Sequence, residues 1–326
     1  MKKTILSGMR PTGKLHIGHY AGVLKNWVKL QEEYQCFFMV ADLHALTTEY
    51  ENTKLIKENT IDIVADWLSC GIEPNKAVVF CQSDVPEHAE LHLIFSMLTP
   101  LGWLYSCPTY KEQLREQTSK DLKTYGFLGY PVLQAADILL YRSDCVPVGK
   151  DQIPHIELTR EIARRFNSFY GEFFPQPQAL LTDSPYIPGI DGRKMSKSYN
   201  NCIYLTDTEE EINKKVYQMF TDPQKIRKND PGNPDNCVVL AFYKVFAPEK
   251  AKEVELLCRS GKIGCVEDKR SLADILNKIL QPIKEKRRNF TKEKIIEILS
   301  NGKKKASEVA KHTISEVKKL IGLTYL

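Results

Sequence analysis

Residues 1–81 constrain the fold most, because short β-type runs alternate there with helical patterns: Thr4 to Leu6, Tyr20 to Gln31, Cys36 to Val40, Thr53 to Leu68 and Ala77 to Cys81. Such a β-α-β-α-β rhythm demands parallel strands, since an antiparallel neighbour is reached by a tight turn and needs no intervening helix. Right-handed crossovers put helices on both faces of one sheet and leave ligands at the carboxyl ends of the strands. The expected class is α/β, a Rossmann-like doubly wound parallel sheet.

From Thr206 onward the pattern turns helical. Ile275, Leu276, Ile279, Leu280 and Ile283 share one face, and Pro282 is expected to kink or restart that helix. Residues 221–236, rich in Pro, Asn, Asp and Gly, read as a long loop. Amphipathic spacing returns from Lys304 to Ile321 through Ala306, Val309, Ala310, Val317 and Leu320. These features predict a catalytic domain over 1–205 and an all-helical domain over 206–326, with the last helix packing back on the first domain.

Charge follows the same division. Residues 1–205 carry 21 basic and 23 acidic side chains, whereas 206–326 carry 25 and 18, so the basic excess is C-terminal and compatible with a nucleic-acid partner. The nine cysteines are odd in number and scattered, which argues against a disulfide framework. Neither a secretory apolar stretch at the N-terminus nor a bilayer-length run occurs, so a cytoplasmic location away from membranes is expected.

Two segments carry chemistry. Residues 11–19, PTGKLHIGH, lie between the first strand and the first helical pattern. Gly13 and Gly18 allow close backbone approach, a helix N-terminus offers oriented N–H groups, and His16 and His19 sit three apart on one face of a turn, which suits a phosphate. Residues 191–198, DGRKMSKS, combine a Gly turn with Lys194, Met195, Ser196, Lys197 and Ser198, and ammonium groups can follow charge as it builds on leaving pyrophosphate. Either segment alone is commonplace on a protein surface. A third stretch, YPVLQAADILLY at 130–141, puts Tyr130, Gln134 and Asp137 on one helix face, where a structural polar network is the plainer reading and a ligand pocket the sharper one.

Together H-I-G-H and K-M-S-K-S resemble the pair that marks class I aminoacyl-tRNA synthetases, with no substitution in their core letters. The resemblance covers nearly the whole chain and is strongest over 1–200. It implies in-line attack of an amino-acid carboxylate on the α-phosphate of ATP, with Mg²⁺ bridging phosphate oxygens and Thr12, His16, His19, Lys194 and Lys197 as catalytic donors. It further implies an ATP site including Arg10, Pro11, Gly18, Gly149, Lys150, Asp151 and Tyr186. The opening ILSGMRPTG looks like the tryptophan branch, whereas Gln134 matches the Tyr-Gln-Asp spacing of the tyrosine branch. In the tryptophan branch Gly8, His44, Tyr130, Gln134, Asp137, Val146, Val148 and Gln152 would line the amino-acid pocket. Asp137 would accept the indole N–H, and Tyr130 with Gln152 would hold the α-amino group. Lys150 departs from the acidic residue common in bacterial members, and His44 reads equally well as a core histidine.

The same resemblance gives the basic residues 278–319, thirteen Lys or Arg against five acidic side chains, a role in reading tRNA(Trp), often across a homodimer. Some bacterial relatives hold an iron–sulfur cluster on four cysteines of this region. Here Cys237, Cys258 and Cys265 are followed by Asp268 in the fourth position, and the first gap is shorter, so a degenerate site without a cluster is expected. Two rival functions stay open at this point: a tyrosine–tRNA ligase, and a nucleotidylyltransferase that shares the histidine motif but uses no tRNA.

Overall fold

A computed structural model describes residues 2–116, 121–181 and 187–324. Five strands, β1 (Thr4–Met9), β2 (Gln35–Val40), β3 (Ala77–Cys81), β4 (Cys145–Val148) and β5 (Gln178–Leu181), form one sheet in the order β3-β2-β1-β4-β5, every pair parallel. The chain winds outward from β1 in one direction and then, through β4, in the other. The point of reversal lies between β1 and β4, where a doubly wound sheet opens a crevice at its carboxyl edge. Burial on both faces explains why β2 is apolar throughout: Cys36, Phe38 and Val40 enter one core and Phe37 and Met39 the other.

Helices α1 (Ile17–His19), α2 (Lys25–Glu33), α3 (Asp42–Glu49), α4 (Ile56–Ser69), α5 (Glu87–Leu98), α6 (Leu101–Ser106), α7 (Pro108–Glu116), α8 (Tyr125–Leu140) and α9 (Ile153–Tyr170) connect and cover the strands. The helix expected from Tyr20 begins earlier, at Ile17, and passes through a π-helical turn over Tyr20–Leu24 before α2. Such single-turn bulges recur near functional sites. Trp27 of α2 anchors this connection by stacking on Phe38 at 4.3 Å and meeting Trp67 edge-on at 5.0 Å.

The C-terminal half is helical as expected: α10 (Glu209–Tyr217), α11 (Val238–Phe246), α12 (Pro248–Arg259), α13 (Cys265–Arg287) and α14 (Lys292–Leu320), with 221–236 in irregular backbone apart from a short turn at Pro234–Asn236. Pro282 does not restart the helix, since α13 runs through it without a break. Buried Leu280 and Ile283 flank it and hold the helix in register, and the helix ends five residues later, so the missing N–H is absorbed near its terminus. Helix α14 runs along the sheet edge at β3. Its Ile295 and Leu299 join the core on the α2/α4 face, while Ala306, Ala310, Ile314 and Val317 join the core on the α5/α8/α9 face. Gly302 marks the crossing, where a Cβ would stand only 1.8 Å from the Val79 carbonyl oxygen. Among the described residues no helix is long and apolar enough to cross a membrane.

Candidate active site

The carboxyl ends of β1 and β4, the connection into α1 and the inner face of α8 enclose a cavity of about 390 Å³. Of the residues expected at an amino-acid and nucleotide site, Gly8, Arg10, His19, His44, Tyr130, Gln134, Asp137, Val146, Val148, Gly149 and Gln152 line it. The three side chains spaced along α8 thus do share one face.

At the deep end sits Asp137, 2% exposed. Its Oδ1 accepts from Gln82 Nε2 and His88 Nδ1, each at 2.7 Å, and its Oδ2 accepts from His44 Nε2 at 2.8 Å. His88 Nε2 in turn accepts from the Tyr141 hydroxyl at 2.9 Å. Burial opposes a charged carboxylate here, but the hydrogen bonds from His44 and His88 outweigh it and hold the carboxyl down to about 2. The site therefore presents a fixed acceptor at neutral pH. His44 serves both readings, since it lines the cavity and satisfies a buried partner. Beside it the Tyr130 hydroxyl meets His155 Nε2 at 3.3 Å, and burial pushes His155 down to about 4, so that imidazole is neutral.

At the outer end two motifs meet. Leu15 to Ile17 pair with the segment after the lysine loop, through Ile17 N–H to the Ile203 carbonyl at 2.8 Å and Leu205 N–H to the Leu15 carbonyl at 3.0 Å. Lys197 Nζ donates to the Thr12 carbonyl at 3.2 Å, and Gly13, at φ +115°, lets the chain turn beneath that ammonium. A Cβ on Gly18 would stand 2.8 Å from His16 Nδ1, so glycine admits the ring. The rings of His16 and His19 lie 3.7 Å apart. The His16 backbone N–H donates to His19 Nδ1 at 3.2 Å, which leaves the His19 proton on Nε2, free to donate into the cavity. Burial, with Lys197 adding to it, pushes His16 down to about 4; burial first, then His16 and Lys197, push His19 well below the usual imidazole range. Both act as neutral donors, and positive charge at this end comes from lysine and arginine.

Asn201, 2% exposed, shapes the lysine loop: its Oδ1 accepts from Ser196 N–H at 2.8 Å, and its Nδ2 donates to Asp191 Oδ1 and the Lys194 carbonyl. Met195 is buried beneath the loop, and Lys194 projects into solvent. Lys150 is exposed and Asp151 accepts from Gln152 Nε2 at 2.8 Å, at the cavity rim. Pro11 is buried in the turn closed by Thr12 N–H to the Arg10 carbonyl. Tyr186 and the side chain of Ser198 lie outside the described residues.

The model for tRNA synthetases class I (W and Y) matches residues 2–281. The chain belongs to the class I tRNA synthetases of that family. It is 52% identical to the tryptophan–tRNA ligase of Thermotoga maritima over 98% of this chain and 99% of the relative, and 47% identical to that of Aquifex aeolicus over 98% and 99%. Its fold superimposes on tryptophanyl-tRNA synthetase from Campylobacter jejuni, complexed with ADP and tryptophan, with a TM-score of 0.88 and 36% identity, covering 98% of this chain and all of the other. The two motifs of the family resemblance, 185 residues apart in sequence, thus meet at one end of the cavity.

Sequence reasoning missed Gln82, His88, Tyr141, His155 and Asn201. The position of Gln82 directly after β3 was a usable signal, because residues at strand carboxyl ends face the crevice. Away from this site, Cys237, Cys258, Cys265 and Asp268 line one small hollow. Burial pushes Cys237 up to about 11 and the Asp268 carboxyl up to about 6, and the Lys225 ammonium, donating to the Lys228 and Asp230 carbonyls, shares the hollow. Three thiols, a carboxyl and a nearby ammonium do not fit an iron–sulfur cluster, whose irons take thiolates. Among the described residues no group of three or more His, Cys, Asp and Glu side chains is set to hold a metal ion.

Proposed function

We propose that the chain is a tryptophan–tRNA ligase: it activates L-tryptophan with ATP to tryptophanyl-adenylate and pyrophosphate, then passes tryptophan to the 3′ end of tRNA(Trp). The observation that carries this reading is the ionised Asp137 at the closed end of an apolar-walled cavity, able to accept an indole N–H. Val146 and Val148 form apolar wall beside it, while Tyr130, Gln134 and Gln152 offer polar atoms for the amino-acid head group. The tyrosine alternative loses ground because a tyrosyl-tRNA synthetase from Archaeoglobus fulgidus shares only the fold, at 21% identity, against 52% for a tryptophan–tRNA ligase.

Activation then proceeds by positioning and charge stabilisation. The carboxylate of tryptophan attacks the α-phosphate, and pyrophosphate leaves toward the lysine loop. His19 Nε2–H donates to phosphate oxygen, with His16 packed beside it, and Lys197 follows negative charge as it moves onto the leaving group. Lys194 reaches the same anion when the exposed loop closes over it, and Arg10, Gly149, Lys150 and Asp151 border the nucleotide. Mg²⁺ brought in by ATP would neutralise charge on the phosphates, and no side chain described here is assigned to hold it. Residues 206–326 form the RNA-reading unit, with α14 returning to the catalytic unit of 1–205. The exposed Leu93, Met97, Leu101 and Tyr105, 53–75% accessible, support a second copy docking on α5 and α6. Tryptophan-dependent exchange of pyrophosphate into ATP tests the reading: exchange with tryptophan and none with tyrosine is expected. Exchange independent of any amino acid would favour a nucleotidylyltransferase instead.

A further inference from the structure

A carboxylate offers about four acceptor sites. In Asp137 three are taken, two on Oδ1 by Gln82 and His88 and one on Oδ2 by His44. The site that is left belongs to Oδ2, and an indole N–H entering the cavity would have to use it. Its direction depends on how firmly the three donors hold the carboxylate, and two of those donors are themselves held from the far side. Gln82 Oε1 accepts from the His44 backbone N–H at 3.3 Å, which turns the amide so that Nε2 faces Asp137. The His88 ring is fixed at both nitrogens, Nδ1 lying 2.7 Å from Asp137 Oδ1 and Nε2 2.9 Å from the Tyr141 hydroxyl.

Neither His88 nor Tyr141 is among the described residues that line the cavity. Both are buried, with the Tyr141 ring stacked on Phe37 at 4.6 Å and the His88 ring on Phe80 at 6.0 Å. Burial, with Asp137 and Glu87 adding to it, pushes the Tyr141 hydroxyl well above its ordinary range, so it keeps its proton. Among the described residues that hydroxyl has His88 Nε2 as its hydrogen-bond partner, so Nε2 accepts and the imidazole proton sits on Nδ1, facing Asp137.

We propose that His88 and Tyr141 are positioning residues for indole selection: the phenol locks the His88 ring, and the ring aims the last acceptor site of Asp137 at the substrate N–H. The inference rests on the ligase reading above and deepens it. Fastening α5 to α8 does not require the pair, because Leu91 and Phe95 already share a core with Ile138 and Leu139. Two buried hydrogen-bonded groups contribute little to stability beyond apolar groups of the same shape; what this pair adds is a fixed ring plane and tautomer behind the carboxylate.

The test measures kcat and KM in pyrophosphate exchange with tryptophan and with benzothienylalanine, which has sulfur in place of the indole N–H. It uses full-length wild type, Tyr141→Phe, His88→Leu, His88→Asn, Asp137→Asn and the double variant Asp137→Asn/Tyr141→Phe, with melting temperatures alongside. Tyr141→Phe deletes the hydroxyl and keeps the ring stack; the preference for tryptophan, as a ratio of kcat/KM, should fall at least threefold while kcat/KM for benzothienylalanine stays within twofold. His88→Asn, which keeps an N–H near the Nδ1 position, should retain more of the preference than His88→Leu. In the Asp137→Asn background Tyr141→Phe should change the ratio no further, because the phenol acts through that carboxylate. Should His88→Leu fail to fold, Tyr141→Phe decides the matter by itself. A merely structural pair would lower melting temperatures and depress both substrates alike, and a ratio unmoved in Tyr141→Phe but lost in Asp137→Asn overturns the inference alone. A ratio unmoved in Asp137→Asn overturns the reading of Asp137 and this inference with it, and no tryptophan-dependent exchange in the wild type overturns the ligase reading.

Discussion

Replacing Asp137 by asparagine keeps the side-chain volume and removes only the charge and one acceptor. Both carboxylate oxygens now accept: Oδ1 from Gln82 and His88, Oδ2 from His44. An amide would point its NH₂ at one of these donors and leave a weaker acceptor for the indole N–H. A hydrogen bond to a charged group contributes about 1.5–3 kcal/mol, so kcat/KM for tryptophan should fall roughly ten- to 150-fold. Repacking alone would lower activity too, which is why the comparison substrate matters. In benzothienylalanine, sulfur stands where tryptophan has N–H, and the wild type should prefer tryptophan by a factor of the same size. In Asp137→Asn that preference should collapse toward unity, measured as the ratio of kcat/KM in pyrophosphate exchange. A ratio that keeps its wild-type value would refute the idea that Asp137 reads the N–H.

Three further outcomes follow from the geometry. Lys197→Met and Lys194→Met should each lower kcat for activation by tenfold or more with little change in tryptophan KM; pre-steady-state adenylate formation measures both, and a loss confined to KM would contradict the assignment. His155 titrates near 6.5 when unfolded and about 4 when folded, so the unfolded chain binds that proton first. Its contribution is therefore present above about 6.5 and lost as pH falls toward 4, and His155→Gln should flatten that part of a stability–pH curve by about one proton, up to about 1.4 kcal/mol per pH unit. Gly302→Ala should destabilise the fold by about 1–3 kcal/mol in urea unfolding, since its methyl would meet the Val79 carbonyl; an unchanged midpoint would mean that α14 shifts freely.

The sheet was legible because periodicity is local: the runs at 36–40 and 77–81 became β2 and β3 with at most one residue added, while the run at 4–6 is the first half of β1, which continues to Met9. Tyr130, Gln134 and Asp137 were legible because a helix face has a fixed spacing. Their partners were not. Gln82 and His88 meet Asp137 across 55 and 49 residues, and nothing in a single chain announces which polar group will answer a buried carboxylate. Asn201 escaped notice for a related reason, since an asparagine beside the lysine loop looks like ordinary loop composition until its amide is seen to close three bonds. Pro282 shows the converse, a local break signal through which α13 nonetheless continues, with buried neighbours on either side.

The passage of α14 along β3 also sets an order of assembly. β3 is an edge strand of apolar sequence, AVVFC, and until its neighbour arrives its unpaired backbone is a template for association with other chains. The segment that shields it is made near the far end of the chain, and such a long-range closure is slow to form. A partly synthesised or refolding chain therefore passes through a stage in which the nucleotide crevice can exist while one margin of the sheet is bare. Aggregation in that window should depend on α14, and supplying residues 292–320 as a separate peptide should suppress it in a chain that lacks them.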